Sequence, residues 1–194
     1  MSVEGLPKTA RAVRYAERMH SGQRRGDGSR FVCHPLEVAS LLYYTGAPDH
    51  LIAAGVLHDV IEKTGVTETD LTKRFGSKIA GLVAAVSDDD RIGGYAERKA
   101  ALRRKVAGAG NEALSLFAAD KISKLRELRR ETASDRDIRS ASGRVREVKA
   151  RRVRHYRRSL ALLEERLPES PLVGELREEL AALLRDRELF AGVA

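Results

Sequence analysis

Leu51-Ile52-Ala53-Ala54-Gly55-Val56-Leu57-His58-Asp59-Val60-Ile61-Glu62 is an apolar run with three ionisable residues set into its end. Its apolar residues cover most of the circumference of a helix, and such a helix belongs at the centre of a fold. Pro48-Asp49 marks where it opens. If the helix continues through His58, then Glu62 lies one turn beyond it on the same face, so His58, Asp59 and Glu62 converge in a buried region. Leaving that group without partners would cost on the order of several kcal/mol, so a polar network or a cation has to satisfy it. An imidazole with carboxylates suits a divalent ion such as Mn²⁺, Fe²⁺ or Zn²⁺, and His34 and Asp120 are the best candidates for the missing ligands. On spacing alone, an ordinary hydrogen-bonded His-Asp pair remains the alternative.

Working outward, helical periodicity recurs nearly everywhere. A first helix carries Val13, Ala16 and Met19 after Pro7 and ends near His20. Residues 22–30, rich in Gly and Arg, read as an exposed, basic, mobile loop. Pro35 suits the first turn of a second helix, which Gly46 closes. Thr67 and Asp70 form a capping-box pattern ahead of a short helix that stops at Phe75-Gly76. A further helix begins at Ser77 and ends at the acidic turn Ser87-Asp88-Asp89-Asp90. Glu97 to Val106 and about Asn111 to Arg129 follow as helices, the second with Asp120 near its middle. Residues 131–143 read as a linker, and Pro168 and Pro171 split two last helices. The expected fold is a single-domain, all-α helical bundle over 1–194, with a core over 8–130 that holds the site and helices over 144–190 packed on it.

Composition narrows the function. The 194 residues are 42% apolar, enough for a substantial core, so overall disorder is a poor reading. The formal charge of +8 makes an anionic partner plausible, whether nucleotide, nucleic acid or membrane surface. One cysteine excludes an internal disulfide and a Cys-rich zinc module. No apolar run is long enough to span a bilayer and the start has no signal-peptide core, so a cytoplasmic location with no membrane partner is expected. The absence of Trp weakens an aromatic base-stacking platform. Between Arg136 and Arg158 ten basic residues face two acids, a pattern that could contact nucleic acid. An apolar stripe of Val145, Val148, Val153, Tyr156, Leu160, Leu163 and Leu167 runs through the same region and favours a solvated amphipathic helix. The last helix packs on it or on a second subunit in a homodimer.

Four segments together carry a more specific signal: His20-Ser21-Gly22-Gln23-Arg24-Arg25, Phe31-Val32-Cys33-His34-Pro35, Leu57-His58-Asp59-Val60-Ile61-Glu62-Lys63-Thr64 and Ala118-Ala119-Asp120-Lys121-Ile122-Ser123-Lys124-Leu125. In order and spacing they resemble the HD-domain phosphohydrolases, and within them the hydrolase domain of RelA/SpoT proteins and the small alarmone hydrolases of the metazoan SpoT homologue type. The resemblance implies that His34, His58, Asp59 and Asp120 hold a divalent metal, Mn²⁺ first, with Fe²⁺, Zn²⁺ or Mg²⁺ as alternatives. It makes Glu62 the acid that orients or deprotonates water, and Arg24, Arg25 and Lys99 the phosphate contacts. The implied reaction removes the 3′-pyrophosphate from guanosine tetraphosphate or pentaphosphate. On a length of 194 residues, no synthetase function is expected beside it.

This chain departs from the family at two positions, with Lys63 where the family usually has Asp and Lys124 where it usually has Asn. Each lysine follows a presumed ligand by four residues and can reach back to it on a helix, Lys63 to Asp59 and Lys124 to Asp120. At about 6 Å and an effective dielectric of ~20, each such charge is worth on the order of 3 kcal/mol against a cation. The pair therefore either grips additional substrate phosphate, Lys63 then joining Glu62 in catalysis and Lys124 in substrate binding, or weakens the metal. Other substrates, such as an adenosine analogue (ppApp) or NADPH, and a catalytically impaired nucleotide or nucleic-acid binding protein are the competing readings. Of the remaining candidates, His20 is expected to be structural, His50, His155 and Asp88-Asp89-Asp90 to be solvated, and Cys33 to be a small packed residue.

Overall fold

The computed structural model describes residues 5–134 and 143–185, with side chains for all but 132–134 and 143–146. Ten helices occupy them: α1 (Pro7–Met19), α2 (Cys33–Tyr44), α3 (Asp49–Leu57), α4 (Val60–Lys63), α5 (Glu68–Phe75), α6 (Ser77–Val86), α7 (Tyr95–Gly108), α8 (Asn111–Ser134), α9 (Gly143–Arg166) and α10 (Pro171–Arg185). The all-α expectation holds; among the described residues the extended pairing is one isolated bridge between Arg24 and Arg30.

Two buried helices form the centre. In α3 every residue from Leu51 to Leu57 is buried. Around α8, Leu114, Leu116, Phe117, Ile122, Leu125 and Leu128 are wholly buried, and α2, α3, α6, α7, α9 and α10 all pack on it. Each such side chain contributes on the order of 2 kcal/mol by leaving water. Because α8 is covered on nearly every side at its middle, Asp120 faces protein rather than solvent.

Close contacts set how the outer helices sit. A Cβ on Gly55 would lie 2.8 Å from Leu42 Cδ1 and 3.3 Å from Ala39 Cα, so glycine there lets α2 press directly on α3. That approach brings the start of α2, with His34, towards the end of α3, with His58. Leu6 gives α1 no side-chain cap. The carboxylate of Asp49, in the first turn of α3, instead accepts from the backbone N–H groups of Lys8 and Thr9, at 2.9 Å each, and from Thr9 Oγ1 at 2.7 Å. At α5 the capping box between Thr67 and Asp70 forms as the sequence suggested.

Several expectations need correction. The third helix does not run through to Glu62: α3 ends at Leu57, His58-Asp59 forms a turn, and a four-residue α4 follows. The Gly55 carbonyl, which a continuing helix would pair with the N–H of Asp59, accepts from His58 Nδ1 at 2.8 Å. Residues 22–30 are a largely exposed loop, as expected, closed by Arg25 N–H on Ser29 O at 2.9 Å and Phe31 N–H on Gln23 O at 3.0 Å. Helix α8 continues past Arg129 to Ser134, and the rest of the expected linker, 135–142, lies outside the described residues. The same is true of the basic residues Arg136 and Arg139, of the side chains of Arg144, Val145 and Arg146, and of the chain after Arg185. On α9, Val153, Tyr156 and Leu163 are buried as expected, whereas Val148 is 42% exposed and leaves the stripe.

Candidate metal centre

His34 comes from the first turn of α2, His58 and Asp59 from the turn between α3 and α4, and Asp120 from the middle of α8. All four are buried. The Nε2 atoms of the two imidazoles face each other at 3.1 Å. Asp120 Oδ1 lies 3.2 Å from His34 Nε2 and 3.4 Å from His58 Nε2. Asp59 flanks the pair, with oxygens 3.5 Å from His34 Nε2 and 3.4 Å from His58 Nε2. His34, His58 and Asp120 each offer a ligand atom within 4.8 Å of the others, a group that could hold a divalent metal.

Hydrogen bonding fixes which imidazole nitrogens are free. Ser123 Oγ donates to Glu37 Oε2 at 2.7 Å, so towards His34 Nδ1, at 2.8 Å, it acts as acceptor. His34 therefore carries its proton on Nδ1. His58 Nδ1 donates to Gly55 O, which places its proton there too. Both Nε2 atoms then turn lone pairs towards one point, and two lone pairs at 3.1 Å cannot bond to each other. Asp120 Oδ1, shielded from solvent, has the Lys124 ammonium at 2.9 Å but no well-aligned hydrogen bond. A positive charge belongs between these atoms, and two imidazoles with carboxylates are a suitable donor set for a divalent transition metal.

Electrostatics favour ionised carboxylates and a neutral His34, whereas without a metal they favour a proton on His58. Burial works against the charge on Asp120, but Lys121, Lys124 and the two imidazoles outweigh it and hold the carboxyl well below its ordinary range. Asp59 is likewise lowered, burial being outweighed by His58, Lys124 and His34. Burial keeps the His34 pKa down, whereas at His58 the pull of Asp59 and Asp120 overcomes burial and pushes it up.

The surrounding groups divide. Lys124 Nζ lies 2.9 Å from Asp120 Oδ1, as expected. Burial opposes its charge, but Asp120, Asp59 and Glu62 hold the ammonium well above its ordinary value. Lys63 behaves otherwise: its backbone N–H closes a helical turn on Asp59 O at 2.9 Å, yet its side chain is exposed and forms no ion pair with Asp59. Half-buried Glu62 accepts from the backbone N–H of Asp88 at 3.2 Å. The Arg25 side chain is 5% exposed and pairs with Glu127 at 2.9 Å, while Arg24 is exposed and donates to Gly28 O. Lys99 is ion-paired with Asp88. The structure thus gathers His34, His58, Asp59, Asp120 and Lys124, with Glu62 close enough to act on Lys124, and leaves Arg24 and Lys63 on the surface.

Residue types alone had hidden several participants. Glu37 and Ser123 each stand three positions after a candidate ligand, His34 and Asp120, a spacing that puts them on the same helix face. Lys121 is buried against Asp120, and burial pushes its pKa down to about 8. Four bland readings also change. His50 is paired with Glu112 at 2.7 Å, His155 is 5% exposed, Asp88 is largely enclosed between Lys99 and Arg98, and Cys33 is exposed rather than packed. His20 is buried, consistent with a structural role.

A family model described as "HD domain" matches residues 12–153. The GTP pyrophosphokinase of Myxococcus xanthus is 43% identical over 77 residues, 40% of this chain and 10% of that protein. A probable guanosine-3′,5′-bis(diphosphate) 3′-pyrophosphohydrolase of Mycoplasma pneumoniae is 38% identical over 95 residues, 49% of this chain and 13% of that protein. The chain spans between 10% and 16% of the length of such curated relatives. Among solved structures, a metazoan ortholog of SpoT described as hydrolysing ppGpp superposes with a TM-score of 0.69 at 26% identity, over 94% of this chain and 96% of that one. A Listeria monocytogenes protein superposes with a TM-score of 0.65 at 26% identity, over 77% of this chain and 94% of its own. Among the described residues no helix is long and apolar enough to cross a membrane.

Proposed function

The chain belongs to the HD domain family, and from that premise we propose that it is a metal-dependent phosphohydrolase that removes the 3′-pyrophosphate from guanosine tetraphosphate or pentaphosphate. The observation that carries this reading is the pair of imidazole Nε2 atoms facing each other at 3.1 Å beside two buried carboxylates. We assign His34, His58, Asp59 and Asp120 as the metal ligands and Mn²⁺ as the metal. Such a cation supplies Lewis acidity, lowering the pKa of water and drawing charge from a phosphoryl oxygen.

The chain's own residues supply the rest. Glu37 and Ser123 keep the His34 proton on Nδ1, and Gly55 O does the same for His58, so both rings present a lone pair without reorganisation. Glu62, with one oxygen steadied by Asp88 N–H, takes the proton from water as the oxygen of that water bonds to the phosphorus next to the ribose 3′-oxygen. The phosphorus–oxygen bond to the ribose breaks, and the 3′-oxygen leaves as a hydroxyl with the proton that Glu62 took from the water. Lys124 and Lys99 are the cations placed to neutralise phosphate charge. Arg25, tied to Glu127, orders the loop beside the site.

Incubating Mn²⁺-loaded protein with guanosine tetraphosphate and separating products by ion exchange tests the reading. GDP and pyrophosphate are expected, with the rate falling by about 10²–10⁴ in Glu62→Gln. Equal turnover in that variant would overturn the assignment of Glu62, and no product from the parent would overturn the substrate. One observation favours a second reading, nucleotide binding without turnover: Lys124 sits on the Asp120 oxygen that a metal would use. Nucleotide affinity without product, unchanged by added metal, would establish it.

A further inference from the structure

Helices α7 and α9 each carry basic and aromatic residues at helical spacing. Tyr95, Lys99 and Arg103 line one face of α7, and Arg151, Arg154, His155 and Arg158 one face of α9. Packed together they enclose a cavity of about 150 Å³ that no acidic residue lines. Asp88 pairs with Lys99, and Glu147 with Arg154 at 2.9 Å and Arg151 at 3.9 Å. Arg103 and Arg158 have no ion-pair partner among the described residues. The hollow therefore carries excess positive charge.

His155 adds an independent sign. It lines the cavity and is 5% exposed. Arg103 NH1 meets its Nδ1 at 2.8 Å, and because a guanidinium only donates, Nδ1 holds the lone pair and Nε2 the hydrogen. That Nε2–H is shielded from solvent and has no acceptor. A buried donor without an acceptor is costly, and an anion oxygen in the cavity would relieve it.

We propose that the α7–α9 cavity is an anion site for a phosphate or pyrophosphate group, distinct from the metal centre and held by Arg103, Arg151, Arg154, Arg158 and the His155 Nε2–H, with Lys99 shared between the two. Pockets for drug-sized ligands occupy about 300 Å³ or more, so this one is sized for phosphoryl groups rather than for a whole nucleotide. The preference for pyrophosphate rests on the proposed function, which releases it. Lys99 connects the two sites, because its partner Asp88 donates its backbone N–H to Glu62. An anion that draws Lys99 from Asp88 changes the support of that carboxylate, a route by which product would restrain turnover.

Calorimetric titration of sodium pyrophosphate into the full chain without added divalent metal tests the site. Parent protein and Asp120→Asn are compared with the double variant Arg154→Ala/Arg158→Ala, whose two side chains are exposed, and with Arg103→Gln. The expected result is one site in the parent, kept in Asp120→Asn and weakened about tenfold or more in both arginine variants. Unchanged affinity in the arginine variants, or binding lost in Asp120→Asn, would overturn the proposal. A labelled single-stranded oligonucleotide that binds tighter than pyrophosphate and is released by the double variant would overturn it in favour of a nucleic-acid surface. Because binding is read without turnover, a failure of alarmone hydrolysis would leave this result standing.

Discussion

At Asp120, one carboxylate lies between two ammonium groups, Lys121 on Oδ2 and Lys124 on Oδ1. A metal approaching Oδ1 has to displace Lys124 or share the oxygen with it. Lys124→Asn keeps a polar side chain and removes the charge, so we expect metal affinity to rise by about tenfold or more, measured by competition with a chelator. Equal affinity in both proteins would show that Lys124 swings away at no cost. Lys63→Asp is expected to change affinity far less, since Lys63 is exposed and has no pair with Asp59. The proposed ligands His58 and Asp59 stood out in the sequence because ionisable residues in an apolar run need a reason to be there. Glu37 and Ser123 were not, because an acid and a serine on helices with partly polar faces look solvated until a neighbouring helix supplies their partner.

Among the elements, the α3–α4 junction is where sequence reasoning fell short. Nothing in Leu57-His58-Asp59-Val60 breaks a helix by propensity, and the apolar period continues straight through it. The interruption comes from the side chain of His58, which takes the Gly55 carbonyl that the helix ladder would use. Lys63 still closes a helical turn on Asp59 O at 2.9 Å, so the symmetry expected between the two lysines fails in the side chains: Lys124 reaches Asp120, whereas that of Lys63 is exposed. The α1–α3 contact allows a direct test. Asp49→Ala removes the acceptor for two backbone donors and one hydroxyl, and is expected to cost about 1–2 kcal/mol in urea unfolding. Asp49→Asn, which keeps one acceptor oxygen, should lose less. Burial opposes the charge of Asp49, but the N–H groups of Lys8 and Thr9 and the Thr9 hydroxyl lower its pKa overall. Its contribution is therefore full above the unfolded value of about 3.9 and fades as pH falls through the lower folded value. The parent and Asp49→Ala should converge in stability at acid pH; a constant difference would sink this account.

Across the whole molecule, Arg126 joins three helices. From α8 it pairs with Glu37 of α2 at 3.3 Å, with Glu179 of α10 at 2.9 Å and with Glu175 of α10. Glu37 in turn holds Ser123, which holds His34. Helix α10 is thus connected to His34, a proposed metal ligand, through Glu179, Arg126, Glu37 and Ser123 in sequence. Arg126→Met should lower stability by about 1–2 kcal/mol at low salt, and by less in 1 M salt, because the cluster is partly open to solvent. It should also weaken metal binding, since Glu37 loses the cation that steadies it; unaltered metal affinity would show that the Ser123 contact stands alone. The bundle was legible from helical period and turn residues, but Arg126 read only as one more charge in a basic chain.

The borrowed cap of α1 also carries an order in time. Synthesis runs from N-terminus to C-terminus, so α1 is made before α3, yet the carboxylate that closes its leading turn arrives some forty positions later. Short helices without tertiary support are marginal in water. A nascent chain that stops before Asp49 should therefore leave its first segment as coil, and α1 should become resistant to protease only when α3 has emerged to dock against it. An element made early waits for a later one before it is finished.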